Sequence, residues 1–404
     1  MNCISKEKAS NILVSCLRKA FFCLIIAMPS LADAQDFSSI LKSIEANSAR
    51  LESARIKDKA EKLDSKDLYT LEDPEVGFDY LFGAEGIGHR IGFEVSQGFD
   101  FPTVISQKRK MAKEMQRVSE LKYLSERQQL LLNARKLCIQ VVYCNAIMDH
   151  LDEDLEETTA MSKAYETLFD KGEATAIDRN KAHQAFLFFK TEYDEFHAMR
   201  ENLLNELKCL NGGNAVEISD TAFVFSPLSN DFDGWLAQNI GLHPELQLAE
   251  GELQAEKQSL KVAKGSRIPG FKIGYTGEFT REEKYQGPTI GLSLPLWGSG
   301  RKVKVAKLHV EAAEKSLEDT RLHLTTQLRG VYREALQLQD TYLRYRKHLT
   351  ECDNSELLKK SLDSGQITLL QYLQERQFVH EMHEKILIAE RDLALRKAEL
   401  LFNE

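Results

Sequence analysis

Proline is scarce in this chain, eight residues in 404, and aromatic residues make up only 8% of it. With 28% charged residues, that composition favours long amphipathic helices with a minor strand component. Beyond Ala34 no run approaches 18 consecutive apolar residues, so no helix there is predicted to span a bilayer. If the chain enters a membrane, it does so by strands. Positive charge is short as well: 53 Lys and Arg stand against 62 Asp and Glu, a formal charge of -9. An acidic chain argues against nucleic acid as a partner, because phosphates require a basic face. The cysteines show no CxxC spacing and no disulfide-rich pattern. No Ser-His-Asp arrangement, P-loop or nucleotide fingerprint occurs, so the sequence points to no enzyme and no cofactor.

What is present begins with a targeting pattern. Lys6, Lys8, Arg18 and Lys19 form a basic region, Ala20 to Met28 is a short apolar run, and Ala32-Asp33-Ala34 is an A-x-A cleavage site. Residues 1–34 therefore read as a secretory signal; as a membrane anchor the apolar run is too short. Removing it takes away four basic and two acidic side chains, so the mature chain is more acidic still. Cys138, Cys144, Cys209 and Cys352 remain, and four packed helix thiols is the simplest account of them.

The mature chain divides into two structural repeats, 35–214 and 231–404, joined by a connector at 215–230. In the first, a polar helix is predicted from Gln35 to about Lys66. Two alternating runs follow over 75–98, Val76, Phe78, Tyr80 and Phe82 in one and Ile91, Phe93 and Val95 in the other. From Thr103 to Phe169 there is neither glycine nor proline. An unbroken helix over that span reaches about 100 Å at 1.5 Å per residue, a coiled-coil or bundle length. Residues 170–174 turn the chain, and a returning helix runs from about Thr175 to Leu210.

The pattern then restarts. A helix is predicted from Asp231 to about Lys264, strands over 270–297 with a charged loop from Thr280 to Pro288, and a long helix over 301–363. A turn at 363–367 and a final helix to Leu401 complete it. Asp170-x-Gly172-x-x-Thr175 matches Asp363-x-Gly365-x-x-Thr368, and Ile91-Gly92 matches Ile290-Gly291, a period of about 195 residues. The two shorter helices of each half together equal its long one. Stacked end to end, they would cover it in antiparallel fashion.

Each strand is of the length a tilted strand needs to cross a bilayer. Alternation alone fits a water-soluble sheet and a membrane barrel equally. The secretory signal and the clustering of Phe78, Tyr80, Phe82, Phe93, Phe271, Tyr275 and Trp297 in or beside the strands favour the barrel, with these side chains facing lipid. Asp79, Glu94, Lys272 and Glu278 then face the lumen. Four strands cannot close a barrel, so that reading requires several copies. A dimer gives eight strands and a trimer twelve, and the residues do not choose.

The second long helix is led in by Gly-x-Ser-Leu-Pro-Leu-Trp-Gly-Ser-Gly-Arg (Gly291–Arg301). Val95–Pro102 is its counterpart in the first half, and His243-Pro244-Glu245-Leu246 precedes the third strand. On these motifs, the paired halves and the turn through Asp363-Ser364-Gly365, nearly all of the mature chain resembles the TolC-like outer-membrane factor family. His243 stands where the family has Asn. The resemblance implies a mainly α fold with a minor β part. On that resemblance, a duplicated unit of long antiparallel coiled-coil helices plus β-hairpins would form an oligomeric α/β barrel channel. It implies a homotrimer, with a twelve-stranded barrel in outer-membrane lipid and a periplasmic helical tunnel. It also implies partners: a periplasmic adaptor and an inner-membrane transporter, of a tripartite efflux pump or of type I secretion. Small molecules or metal ions would be conducted passively. A soluble periplasmic adaptor or scaffold is the competing reading, although adaptors have a single hairpin flanked by compact β domains.

Within that resemblance the tip turns, Asp170, Lys171 and Gly172 with Asp363, Ser364 and Gly365, are the expected docking residues. Glycine there equally serves to end one helix and begin the next. Some family members carry an acidic constriction just after this glycine. Here those places hold Gln371 and Gln374 in the second half and Asp178 in the first, so at most one charge per subunit is expected. His380 and His383 share a helical face; a solvated coiled-coil face is the expectation, and no metal ligand is assigned.

Overall fold

The computed structural model describes residues 37–83, 88–295, 298–351 and 354–401. The predicted signal segment, Trp297 and Cys352 lie outside the described residues. The first half opens with α1 (Ser38–Asn47) and α2 (Ala49–Asp67). These are two helices where one is predicted, because Ser48 between them takes an extended ψ of 114°. A hairpin of β1 (Glu75–Phe82) and β2 (His89–Phe99) follows. Then comes α3 (Pro102–Asp170), 69 residues without a break and about 100 Å long. Pro102 opens it, at a position where a missing N–H costs nothing. Helix α4 (Ala176–Leu210) returns along it.

The second half repeats this order. Here α5 (Phe232–Asn239) and α6 (Pro244–Gly265) are joined by a short 3-10 turn, Ile240–Leu242. The predicted single helix breaks at His243, whose ψ of 124° is extended, as a residue before proline prefers. Strands β3 (Gly270–Phe279) and β4 (Lys284–Ser293) follow. The predicted charged loop shrinks to a tight turn: Thr280 N–H donates to Glu283 O at 2.9 Å, and Glu283 N–H donates to Thr280 Oγ1 at 3.0 Å. The strand starts and ends earlier than its apolar run suggests. The second long helix is also interrupted, into α7 (Ser299–Glu351) and α8 (Ser355–Asp363), with Asn354 non-helical at the start of α8. Helix α9 (Leu369–Leu400) closes the chain.

End-to-end stacking is what the packing shows. Helix α2 lies along the first part of α3, with Ser119 Oγ donating to Asp58 at 2.8 Å and Gln116 to Ser65 at 2.8 Å. Beyond it, α4 takes over the same long helix. At the junction Asn211 Oδ1 accepts from Ser43 Oγ and Asn47 Nδ2, each at 3.0 Å. Gly212 (φ 64°) brings the backbones so close that a Cβ there would sit 2.5 Å from Asn47 O. Helix α6 packs on both α3 and α7, and α9 packs on both α7 and α3, so the two halves share walls.

The core is a belt at these junctions. Ile44, Cys138, Val141, Val142, Cys144, Ile147, Leu151 and Leu207 are fully buried in it. The stretch after α4 straps the belt from outside: Asn145 Nδ2 donates to Ile218 O at 2.9 Å and to Asp220 O at 3.0 Å. Further along, Tyr332 OH donates to Ser229 O at 2.7 Å. A second cluster gathers Leu328, Tyr332, Ala335, Leu393 and Leu400 under Phe232 and Trp235.

The four strands form one antiparallel sheet in the order β1-β2-β3-β4. β2 and β3 are neighbours although they belong to different halves. Among the described residues no helix is long and apolar enough to cross a membrane.

Candidate functional site

The tip turns come first, since their geometry follows from local sequence. At the end of α3, Gly172 (φ 77°) ends the helix; its N–H donates to Phe169 O, and Glu173 N–H reaches back to Leu168 O at 2.8 Å. At the end of α8, Gly365 (φ 71°) does the same, with Gln366 N–H to Ser361 O at 2.9 Å. Both are left-handed glycine caps with a six-to-one hydrogen bond. Each next helix starts on a threonine. Thr175 Oγ1 accepts from Asp178 N–H at 3.1 Å, and Thr368 Oγ1 from Gln371 N–H at 3.3 Å. Asp178 Oδ2 in turn accepts from the Thr175 hydroxyl at 2.6 Å, and Gln371 Oε1 from Thr368 N–H at 2.9 Å. Asp178 and Gln371, two of the three residues singled out for a constriction, are thus also N-cap partners, which stabilise the turn by about 1 kcal/mol. Asp170, Lys171, Gly172, Asp363, Ser364, Gly365, Gln371 and Gln374 are all exposed, and Asp178 is half-buried.

A buried polar cluster lies back from the tips, where α3, α4 and α9 meet. Asp154 and His380 are 1% and 2% exposed, so His380 does not belong to the solvated face expected for it. His380 Nδ1 is 3.1 Å from Asp154 Oδ2, and its Nε2 is 3.2 Å from Glu192 Oε1 on α4. Arg376 hydrogen-bonds the other Asp154 oxygen and lies 3.3 Å from Glu157, whose Oε1 accepts from Tyr372 OH at 2.6 Å. Burial opposes the imidazolium of His380, but the two carboxylates outweigh it and lift its pKa to about 9. For Asp154 burial likewise opposes the charge and is outweighed by His380 and Arg376, so its pKa falls. His150, one turn before Asp154, is pulled down to about 4 by burial. Its ring stacks on His383 at 4.3 Å and on His380 at 5.5 Å. One sign was legible in the sequence. Asp154 sits in the apolar seam Ile147–Leu151–Asp154–Thr158, where an unpaired acid is not tolerated.

The sheet is the third region. Its register pairs Phe78 with Phe93, Val95 with Tyr275, Phe99 with Phe271 and Phe271 with Leu292. These residues, with Val76, Tyr80, Phe82, Ile273 and Ile290, therefore share one face. The face is uncovered: Phe82 is 86% exposed and Ile290 82%. Asp79, Glu94, Lys272 and Glu278 fall together on the opposite face. There Arg90 is 3.3 Å from Glu278, and Lys272 pairs with Glu75. The outer edges of β1 and β4 pair with no strand of the described chain.

No protein-family model matches the sequence, and no curated protein matches it. Solved structures do. A membrane protein from Pseudomonas aeruginosa is similar with a TM-score of 0.76 at 13% identity, over 92% of this chain and 91% of its own. The CmeC outer membrane channel of Campylobacter jejuni has a TM-score of 0.72 at 16% identity, over 94% of this chain and 89% of its own. The outer membrane protein VceC of Vibrio cholerae has 0.72 at 11%, over 90% and 94%. At such identities the likeness is one of fold, and it extends over nearly the whole of each chain.

Proposed function

We propose that this chain is a subunit of an outer-membrane exit duct, through which an inner-membrane transporter and a periplasmic adaptor export small molecules or metal ions. One observation carries the reading. A four-stranded sheet with a bare aromatic and aliphatic face and two open edges stands on a helical body whose longest helix, α3, runs about 100 Å. In water such a face and such edges invite aggregation. In a bilayer the face meets lipid and the edges are closed by further copies.

In this reading Phe78, Tyr80, Phe82, Phe93, Phe271 and Tyr275 face lipid, while Asp79, Glu94, Lys272 and Glu278 line the lumen. Three copies give twelve strands, as the family resemblance implies, and the helices extend into the periplasm. The tips, Asp170–Gly172 and Asp363–Gly365, dock the adaptor. Asp178 contributes one carboxylate per subunit to any constriction, with Gln371 and Gln374 neutral beside it. The duct performs no chemistry on its cargo.

Membrane fractionation combined with native mass in mild detergent tests this. The mature protein should sediment with the outer membrane at three times the subunit mass. Recovery wholly in the osmotic-shock fluid, or as a stable monomer, would sink the reading. A type I secretion duct remains the second reading. Deletion of the gene would then abolish export of a protein rather than raise sensitivity to small toxic compounds.

A further inference from the structure

We propose that His150 and Asp154 of α3 and His380 of α9 form a binding site for a divalent transition-metal ion of the zinc class. Their donor atoms lie within 4.8 Å of one another. Tetrahedral ligands at zinc-like bond lengths stand about 3.4 Å apart. The two edges that meet at Asp154 Oδ2 are close to this, at 3.1 Å to His380 Nδ1 and 3.6 Å to His150 Nε2. A tilt of the His150 ring closes the third edge.

The surroundings are built as a metal site's are. His150 Nε2 is buried and makes no hydrogen bond, a costly arrangement for a ring nitrogen unless something accepts its lone pair. His150 and Asp154 are one helical turn apart and so share a face of α3. The far nitrogen of His380 faces Glu192 at 3.2 Å. That is the carboxylate–histidine–metal arrangement, which fixes the ring and raises its basicity. Arg376 holds the outer oxygen of Asp154, leaving the inner one turned to the two histidines. Phe189 and Phe188 stand edge-on to His380 and the His383 ring covers His150, so water has restricted access. Binding exchanges charge at the site: the ion displaces the proton held between His380 Nδ1 and Asp154, after which Asp154, Glu157 and Glu192 are balanced by Arg376 and the dication, with Lys359 3.7 Å from Glu157 at the margin.

The ligands come from α3 and α9, helices of different halves, about 24 Å from the Asp170 turn at 1.5 Å per residue. A bound ion would fasten one hairpin to the other on the tip side of the buried belt. The site is complete within one chain and does not depend on the exit-duct reading.

The test uses the full mature chain in detergent, without a polyhistidine tag, stripped with chelator and then dialysed against Zn²⁺ or Co²⁺. Elemental analysis should give one Zn²⁺ per chain. Co²⁺ should show the intense visible absorption of a tetrahedral site, and Zn²⁺ should raise the thermal midpoint. Glu192→Gln should weaken binding roughly 10- to 100-fold, and His150→Gln by more. Because His150 Nε2 makes no hydrogen bond, His150→Gln should fold normally and keep the test valid even if His380 variants do not. Substitution of the exposed His183 should change nothing. Wild-type chain that retains no Zn²⁺, or His150→Gln that binds it equally well, overturns the proposal and leaves the cluster a plain ion-pair network.

Discussion

Glycine substitutions in the sheet test its register most directly. Gly274 and Gly92 lie on the same polar face, in the two central strands, β3 and β2. Their surroundings differ. A Cβ on Gly274 would lie 2.7 Å from Val95 O, 2.8 Å from Thr289 Oγ1 and 2.9 Å from Ser96 Cβ. The hydroxyl can rotate away, but Val95 O is part of the β2 backbone and cannot. A Cβ on Gly92 would meet Asp79 Cβ at 3.5 Å and Gly277 O at 3.8 Å, which is ordinary contact. Gly274→Ala should therefore carry an overpacking cost of about 1–3 kcal/mol per chain. Gly92→Ala should be neutral, or stabilise by up to about 1 kcal/mol through the unfolded state. Gly277→Ala is intermediate, because everything in its way belongs to the Phe93 ring, and a displaced rotamer costs about 0.5–1.5 kcal/mol. The assay is the thermal-unfolding midpoint of the purified protein, together with its yield. Expected stability runs Gly92→Ala, then Gly277→Ala, then Gly274→Ala. If Gly274→Ala and Gly92→Ala melt together, the pairing of β2, β3 and β4 described above is wrong.

Four further outcomes are expected. Burial lifts the Cys138 and Cys144 thiols to about 12 and about 11, so alkylation of folded protein at pH 8 should modify the exposed Cys209 and spare both until denaturant is added, as peptide mapping would show. The bidentate pair of Arg127 with Glu45, at 2.6 and 2.7 Å, should give a double-mutant coupling of about 1 kcal/mol or less. The Arg127 hydrogen bond, partly opposed by burial, holds the Glu45 pKa below its usual 4.5. The pair's contribution is then present above pH 4.5 and lost as pH falls through the lower folded value, so Glu45→Gln and wild type should converge in acid urea melts. Gly172→Ala and Gly365→Ala, both at positive φ with no atom within 4 Å of the new Cβ, should each cost about 1–2 kcal/mol; a strongly unequal pair would contradict the matched turns. If the chain forms the proposed duct, Asp178→Asn should weaken block by multivalent cations in planar bilayers, and unchanged block would remove Asp178 from the proposed constriction.

Much of the architecture was legible because it is local. A two-residue period marks β1, β2 and β3, and absence of glycine and proline marks α3. The spacing Asp-x-Gly-x-x-Thr encodes both tip turns, because a left-handed glycine and a threonine cap act within a few residues of themselves. The interruptions were harder to read. Ser48 and Asn354 resemble helix residues in sequence, and no proline or glycine beside them marks a break. At His243 the following proline was a signal that the apolar spacing around it obscured. In β4 the apolar run pointed to a strand ending near Trp297, yet pairing with β3 places it at Lys284–Ser293, since register is set by the partner strand.

By itself, then, the sequence determined the elements, their duplication and the two unlike faces of the strands, all of which follow from the period of the chain. Tertiary structure alone decided which polar groups meet. Asp154 and His380 are 226 residues apart; the apolar seam around Asp154 signals that it needs a partner, but nothing local names His380 as that partner. They become a buried cluster only when α3, α4 and α9 adopt one rotational phase about their axes. That phase is fixed by the sum of many apolar contacts along three helices, and no short stretch of residues carries it.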